Sequence, residues 1–210
     1  MVNTIGKNGL VLALFALVCT GLVAATFVIT APDIKQAELD NKFKVLNQVI
    51  PHQLHDNNLA EHCFMVQDDH LLGGIAPQQA YLATLGDEAT AVAIETTAPN
   101  GYTGNIDLIV GLNTQGEILG VRVLQHKETP GLGDKIERRK SDWIDSFMGK
   151  TVTDRKDPAW AVHKDGGQFD QFTGATITPR AVVSAVKNAV LFYQANADML
   201  LSADANCEDG

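Results

Sequence analysis

The 210-residue chain reads as α+β: a single N-terminal transmembrane helix followed by one mixed α+β domain. Three observations carry that reading. Asn8 to Pro32 contains no charged side chain. Between Tyr81 and Leu124, short runs of alternating apolar residues are separated by turn-forming residues, the period-two signature of strands. From Ala181 to Phe192 apolar residues recur at helical spacing. Strands and helices do not follow a regular β-α-β-α rhythm, which favours α+β over α/β.

Residues 1–8 form a short N-terminus and residues 9–31 the membrane helix. Gly9 to Thr30 is nearly all apolar. At about 1.5 Å rise per residue it is roughly 33 Å long, enough to cross the hydrocarbon core of a bilayer. The alternative is a cleavable signal peptide cut near Val23-Ala24-Ala25, although signal cores are shorter, about 7–15 residues. Val18 before Cys19 fits a lipoprotein signal poorly. Lys7 alone flanks the start of the span. The positive-inside rule then puts residues 1–8 in the cytoplasm and the main domain in the periplasm.

Residues 32–100 hold a connecting helix and the first part of the exported domain. Asp33 to Ile50 carries Phe43, Val45, Leu46, Val49 and Ile50 at near-helical spacing, and Pro51 ends it. His52 to Asp69 is polar and irregular, and Tyr81–Leu85 and Ala89–Thr97 read as strands. Residues 101–195 form the core of the domain. Ile106–Leu112 and Ile118–Leu124 make a hairpin across Asn113-Thr114-Gln115-Gly116. Glu137 to Phe147 reads as a helix with Arg138, Arg139 and Lys140 on a solvated face, and Trp160 to Val162 as a short strand. Thr178 serves as the N-cap and Pro179 as the first residue of the last helix. Residues 196–210 form a tail.

Beyond residue 32 the chain has 15 basic and 25 acidic side chains. That balance argues against nucleic-acid binding, which needs a basic face, and suits a domain held off an anionic membrane surface. There is no GxGxxG after a strand, no P-loop and no Gly-x-Ser-x-Gly elbow. Neither a CxxC pair nor a Cys/His cluster with metal-ligand spacing occurs, so no metal and no catalytic residue is expected. Cys19 lies in the span. Cys63 and Cys207 fall in the exported part, where disulfides persist. That even pair predicts a disulfide tying residues 202–210 to the body.

The most informative stretch is Asp170-Gln171-Phe172-Thr173-Gly174-Ala175-Thr176-Ile177-Thr178. It places Thr176 on a small-residue loop ahead of a helix N-terminus, where free N–H groups and the macrodipole favour an anion. Read alone, Ser/Thr-Gly-Ala-Thr arises by chance in roughly one such chain in a hundred, and an ordinary capped loop explains it. A second stretch, His126-Lys127-Glu128-Thr129-Pro130-Gly131-Leu132-Gly133, leaves from the end of a strand, where binding groups are mounted on a rigid frame.

Together these stretches resemble the FMN-binding domain family. Asp-x-x-Ser/Thr-Gly-Ala-Thr is similar to the acceptor motif of proteins that carry FMN through a phosphoester to the threonine of Gly-Ala-Thr. With the single N-terminal span, the chain resembles the G subunits of Rnf ion-translocating electron-transport complexes. The C subunits of sodium-pumping NADH:quinone reductases share the acceptor motif, and a stand-alone periplasmic covalent-flavin reductase is a further alternative. From another class comes a membrane-tethered assembly module without flavin. The resemblance implies covalent FMN on Thr176, maturation by a flavin transferase, and partnership with other Rnf subunits at the inner membrane. It implies no catalysis by the chain alone.

Thr173 and Thr178 would bond phosphate oxygens or local backbone, and Gly174 and Ala175 would leave room for a transferase. Asp170 would orient the loop, be read by the transferase, or simply cap the turn. Glu128 and Thr129 would bond the ring edge or ribityl chain, and Leu132 would pack on a ring face. Pro130, Gly131 and Gly133 would shape the backbone for close approach. Lys164 or His126 would lie near the ring to stabilise its anionic reduced form.

Overall fold

The structure, a computed structural model, describes residues 2–207. Val2–Val49 form a single helix, α1. Its segment Gly6–Ile34 is long and apolar enough to cross a membrane, with a mean hydropathy of 2.5. Leu10, Phe15, Leu17 and Phe27 are exposed there. The hydroxyls of Thr26 and Thr30 donate back to the Leu22 and Thr26 carbonyls, the way polar side chains are satisfied in a medium without water. Pro32 sits inside the helix and has no N–H for the Val28 carbonyl. The helix continues through it, so the expected membrane and connecting segments are one element.

The chain divides into two compact units between Lys42 and Phe43. The second is built on five strands: β1 (Cys63–Val66), β2 (Gln78–Leu85), β3 (Glu88–Ala98), β4 (Ile106–Asn113) and β5 (Ile118–Gln125). They pair antiparallel in chain order. The helix α2 (Ile177–Leu201) covers one face. Both faces are buried, so the alternation is one of size. Leu82, Val92, Ile94, Leu108, Val110 and Val121 pack toward Val182, Val186 and Val190 of α2. On the other face Ala83, Ala91, Ala93 and Ile109 meet Leu46, Val49 and Ile50 at the end of α1.

That second face has a notch. Gly111 of β4 and Gly120 of β5 are cross-strand partners. A Cβ on Gly111 would come within 2.2 Å of the Val49 carbonyl oxygen, and one on Gly120 within 3.0 Å of Val49 Cα. Glycine is required at both positions by closeness of backbone, not by torsion.

Four elements differ from their sequence reading. Glu137 to Phe147 is not an α-helix. Gly133–Ile136 and Asp142–Phe147 are separate 3₁₀ turns, because Ser141 is extended (φ −161°) and its hydroxyl accepts from Trp143 N–H. Ile144 and Phe147 lie three apart and share a face in a 3₁₀ turn as well as in an α-helix. Trp160 to Val162 contributes only an isolated bridge, Val162 to Phe169. β1 lies within the stretch read as irregular. Helix α2 also runs past Phe192 to Leu201, where Leu200 is fully buried.

The open edge of β1 is covered by the C-terminal segment. Asn206 N–H donates to the Cys63 carbonyl (2.9 Å) and Met65 N–H to Asn206 Oδ1 (3.3 Å). A Cys63–Cys207 disulfide, with Cα atoms 5.4 Å apart, holds it there. Reducing that bond is expected to cost about 2–5 kcal/mol, measured as the change in denaturation midpoint with and without reductant. Gly111→Ala is expected to cost about 1–3 kcal/mol through overpacking against Val49, with the same readout.

Candidate functional site

Two tight turns of the same kind face each other at the start of α2. In Thr129-Pro130-Gly131-Leu132, Leu132 N–H donates to the Thr129 carbonyl (3.1 Å) and Gly131 has φ +78°. In Phe172-Thr173-Gly174-Ala175, Ala175 N–H donates to the Phe172 carbonyl (3.1 Å) and Gly174 has φ +82°. Glycine in the left-handed region at the third position is the requirement of a type II turn. The turns touch, since a Cβ on Gly174 would meet Leu132 Cδ2 at 3.4 Å.

Behind the turns lies a buried carboxylate. Glu128 is only 4% exposed, and its Oε1 accepts from the Thr103 N–H and hydroxyl, each at 3.0 Å. Its Oε2 accepts from the Thr178 hydroxyl. Burial would raise its pKa, but these bonds from Thr178 and Thr103 outweigh it and hold the carboxyl below its ordinary range. Gly133 and Gly101 leave the space: their Cβ atoms would sit 2.9 Å from Glu128 Oε2 and 3.1 Å from Oε1.

His126 supports this carboxylate from the backbone side. Its Nδ1 accepts from Glu128 N–H (3.0 Å) and its Nε2 faces Glu137 Oε1 (2.9 Å). With Nδ1 accepting, Nε2 is the nitrogen that donates to Glu137. Arg139 and His126 together pull the Glu137 pKa down to about 2 against the effect of burial.

These elements enclose a cavity of about 320 Å³ at the N-terminus of α2, into which Glu128, Thr129, Gly133, Gly174, Ala175 and Thr178 face. Its mouth is apolar: Tyr102, Leu132 and Ile177 line it and are 66%, 42% and 45% exposed. Thr176 is the N-cap of α2, and its hydroxyl makes no capping bond. The expected cap, Thr178, is instead fully buried in the first turn and committed to Glu128.

Of the sequence-proposed residues, His126, Pro130, Gly131, Lys164, Asp170 and Thr173 do not line the cavity. Thr173 and Gly131 occupy the outer corners of the two turns and are exposed. Asp170 points to solvent, 3.4 Å from His163 Nε2, while its carbonyl accepts from Trp143 Nε1 (2.8 Å). Lys164 is exposed in the His163–Asp165 turn, its N–H donating to Gln171 Oε1 (3.2 Å). Tyr102 and Ile177 are cavity residues that no spacing pattern marks. No basic side chain lines the cavity among the described residues.

The arrangement fits FMN. An uncommitted hydroxyl stands at a helix N-terminus, where a phosphate is favoured, beside an apolar mouth that a flat ring would cover.

The family model for the FMN-binding domain matches residues 101–191, and that for the RnfG N-terminal region matches residues 1–49. The G subunit of the ion-translocating oxidoreductase complex of Shewanella piezotolerans is 58% identical over 202 residues, covering 96% of this chain and 95% of that protein. Its counterpart in Vibrio atlanticus is 56% identical over 207 residues, covering 99% of each. The crystal structure of Shewanella oneidensis NqrC matches with a TM-score of 0.50 at 22% identity, over 73% of this chain and 75% of that one; this likeness concerns fold alone.

The Glu137 contacts give a pH dependence with a definite sign. A carboxyl whose folded pKa is depressed stabilises the fold above its unfolded value and loses that contribution as pH falls through the folded value. Glu137→Gln is therefore expected to be less stable than wild type at neutral pH. The difference should close between pH 4.5 and about 2, as read from urea midpoints across that range.

Proposed function

The chain belongs to the family of G subunits of ion-translocating oxidoreductase complexes, and from that premise we propose that it carries FMN covalently, through a phosphoester to Thr176. It is an electron-transfer subunit with an FMN-binding domain, working with the other subunits of a membrane complex. The observation that carries the covalent reading is the Thr176 hydroxyl, free of any capping bond at the N-terminus of α2 and on the lip of the cavity.

FMN supplies the redox chemistry when bound; the chain's residues do the rest. The N–H groups at the start of α2 favour the phosphate end. Leu132, Ile177 and Tyr102 offer apolar surface to the ring, and Thr129 offers a hydroxyl to its polar edge. Gly174 and Ala175 leave Thr176 open to an approaching flavin transferase. Asp170, Thr173 and Gly131 act from outside the cavity, on turn shape or transferase recognition. Lys164 lies in the same outer shell, beside Gln171.

The proposed location is the inner membrane, crossed once, with the main domain in the periplasm. Lys7 ahead of the span and the Cys63–Cys207 disulfide support that orientation.

An intact-mass measurement after coexpression with a flavin transferase tests the tether. Wild type is expected to gain FMN less one water, Thr176→Ser to keep the addition, and Thr176→Ala to lose it together with electron transfer through the complex. Full complex activity in Thr176→Ala would instead favour a membrane-tethered assembly module.

A further inference from the structure

We propose that Glu128 sets the electron affinity of the bound flavin through its charge, lowering the midpoint potential. The proposal rests on the reading that FMN occupies the cavity at Thr176. Glu128 is the one charged side chain among the described residues lining that cavity, and its sign is the same as that of an added electron.

Among the described residues, the hydrogen bonds to its side chain come from Thr103 and Thr178, not from a basic side chain. The His126 ring accepts at Nδ1 from the Glu128 N–H and turns its Nε2 toward Glu137, away from the Glu128 carboxylate. Behind it, Glu137 and Arg139 pair with each other. Lys140 pairs with Asp134 (3.5 Å), and Arg138 with Asp142 and Asp145. Three of the roughly four acceptor positions on a carboxylate are taken by Thr103 and Thr178. Glu128 is therefore a fixed charge and not a free hydrogen-bonding arm for the ring edge. Its depressed pKa keeps it ionised at neutral pH.

A buried charge acts over distance. At an effective dielectric constant of about 20 and a separation of about 10 Å, two unit charges interact strongly enough to change an equilibrium by roughly tenfold. For a two-electron couple that converts to about 30 mV.

The test is redox titration of the purified, flavinylated full-length chain in detergent. Glu128→Gln has the same shape, and its amide oxygen can still accept from Thr103, but it has no charge. Thr103→Val keeps the charge and removes one hydrogen bond. The expected result is a tenfold shift of the couple toward reduction in Glu128→Gln, a rise of about 30 mV, with Thr103→Val unchanged. An unmoved potential in Glu128→Gln, or equal shifts in both variants, overturns the proposal. So does a Glu128→Gln chain that folds but takes up no flavin, since Glu128 would then act by positioning. Wild-type chain lacking covalent FMN by mass would remove the reading of the site and the proposal with it. Flavin present with an unmoved potential removes the proposal alone.

Discussion

The geometry of the cavity depends on one buried anion finding its donors. A carboxylate removed from water is costly unless it is hydrogen-bonded, and Glu128 draws its donors from two remote parts of the chain. Thr103 lies 25 residues before it and Thr178 50 residues after. Meeting that demand brings the turn at Thr103 and the start of α2 against the loop that carries Glu128. Gly133 follows from the same constraint, since a Cβ there would come within 2.9 Å of both Glu128 Oε2 and the Thr178 hydroxyl, while Gly101 is held to glycine first by the Gly104 carbonyl oxygen at 2.2 Å. A neutral packing contact would not fix the three segments so narrowly.

The sheet solves a different problem. A β-sheet buried on both faces is mostly apolar, and here the centres of the two faces are distinguished by volume. Branched residues face α2 while alanines and glycines face the end of α1. A helix can approach closely only where the strands present little side chain. The small face therefore receives backbone and the large face receives side chains, which positions α2, and with it Thr176, on the side where side chains interlock.

Much of the fold was legible in the residues. The hairpin from Ile106 to Gln125 was readable because period-two alternation and a turn sequence agree, and α2 because its apolar spacing persists over several turns. β1, at four residues, is too short to show a period. The stretch after Glu137 misled because Trp143, Ile144 and Phe147 suit two helical periods, and only the extended Ser141 separates them. The membrane and connecting segments, read separately, are one helix that continues through Pro32. At the site, the two glycine turns were visible as local chemistry. That Glu128 would meet Thr178, leaving Thr176 to begin the helix, was not, because a contact across 50 residues leaves no local trace.

Thr176 departs from the usual habit of its position, since an N-cap threonine ordinarily bonds a backbone N–H of the first turn and contributes about 1 kcal/mol by doing so. Here it does not. A hydroxyl that caps nothing has nothing to surrender when it is modified. Joining a phosphate to Thr176 Oγ1 would break no capping bond at the start of α2. On the covalent reading proposed above, maturation and folding would thereby be uncoupled: the unmodified chain would already present its finished surface to a loading enzyme, and the order of the two events would carry no penalty.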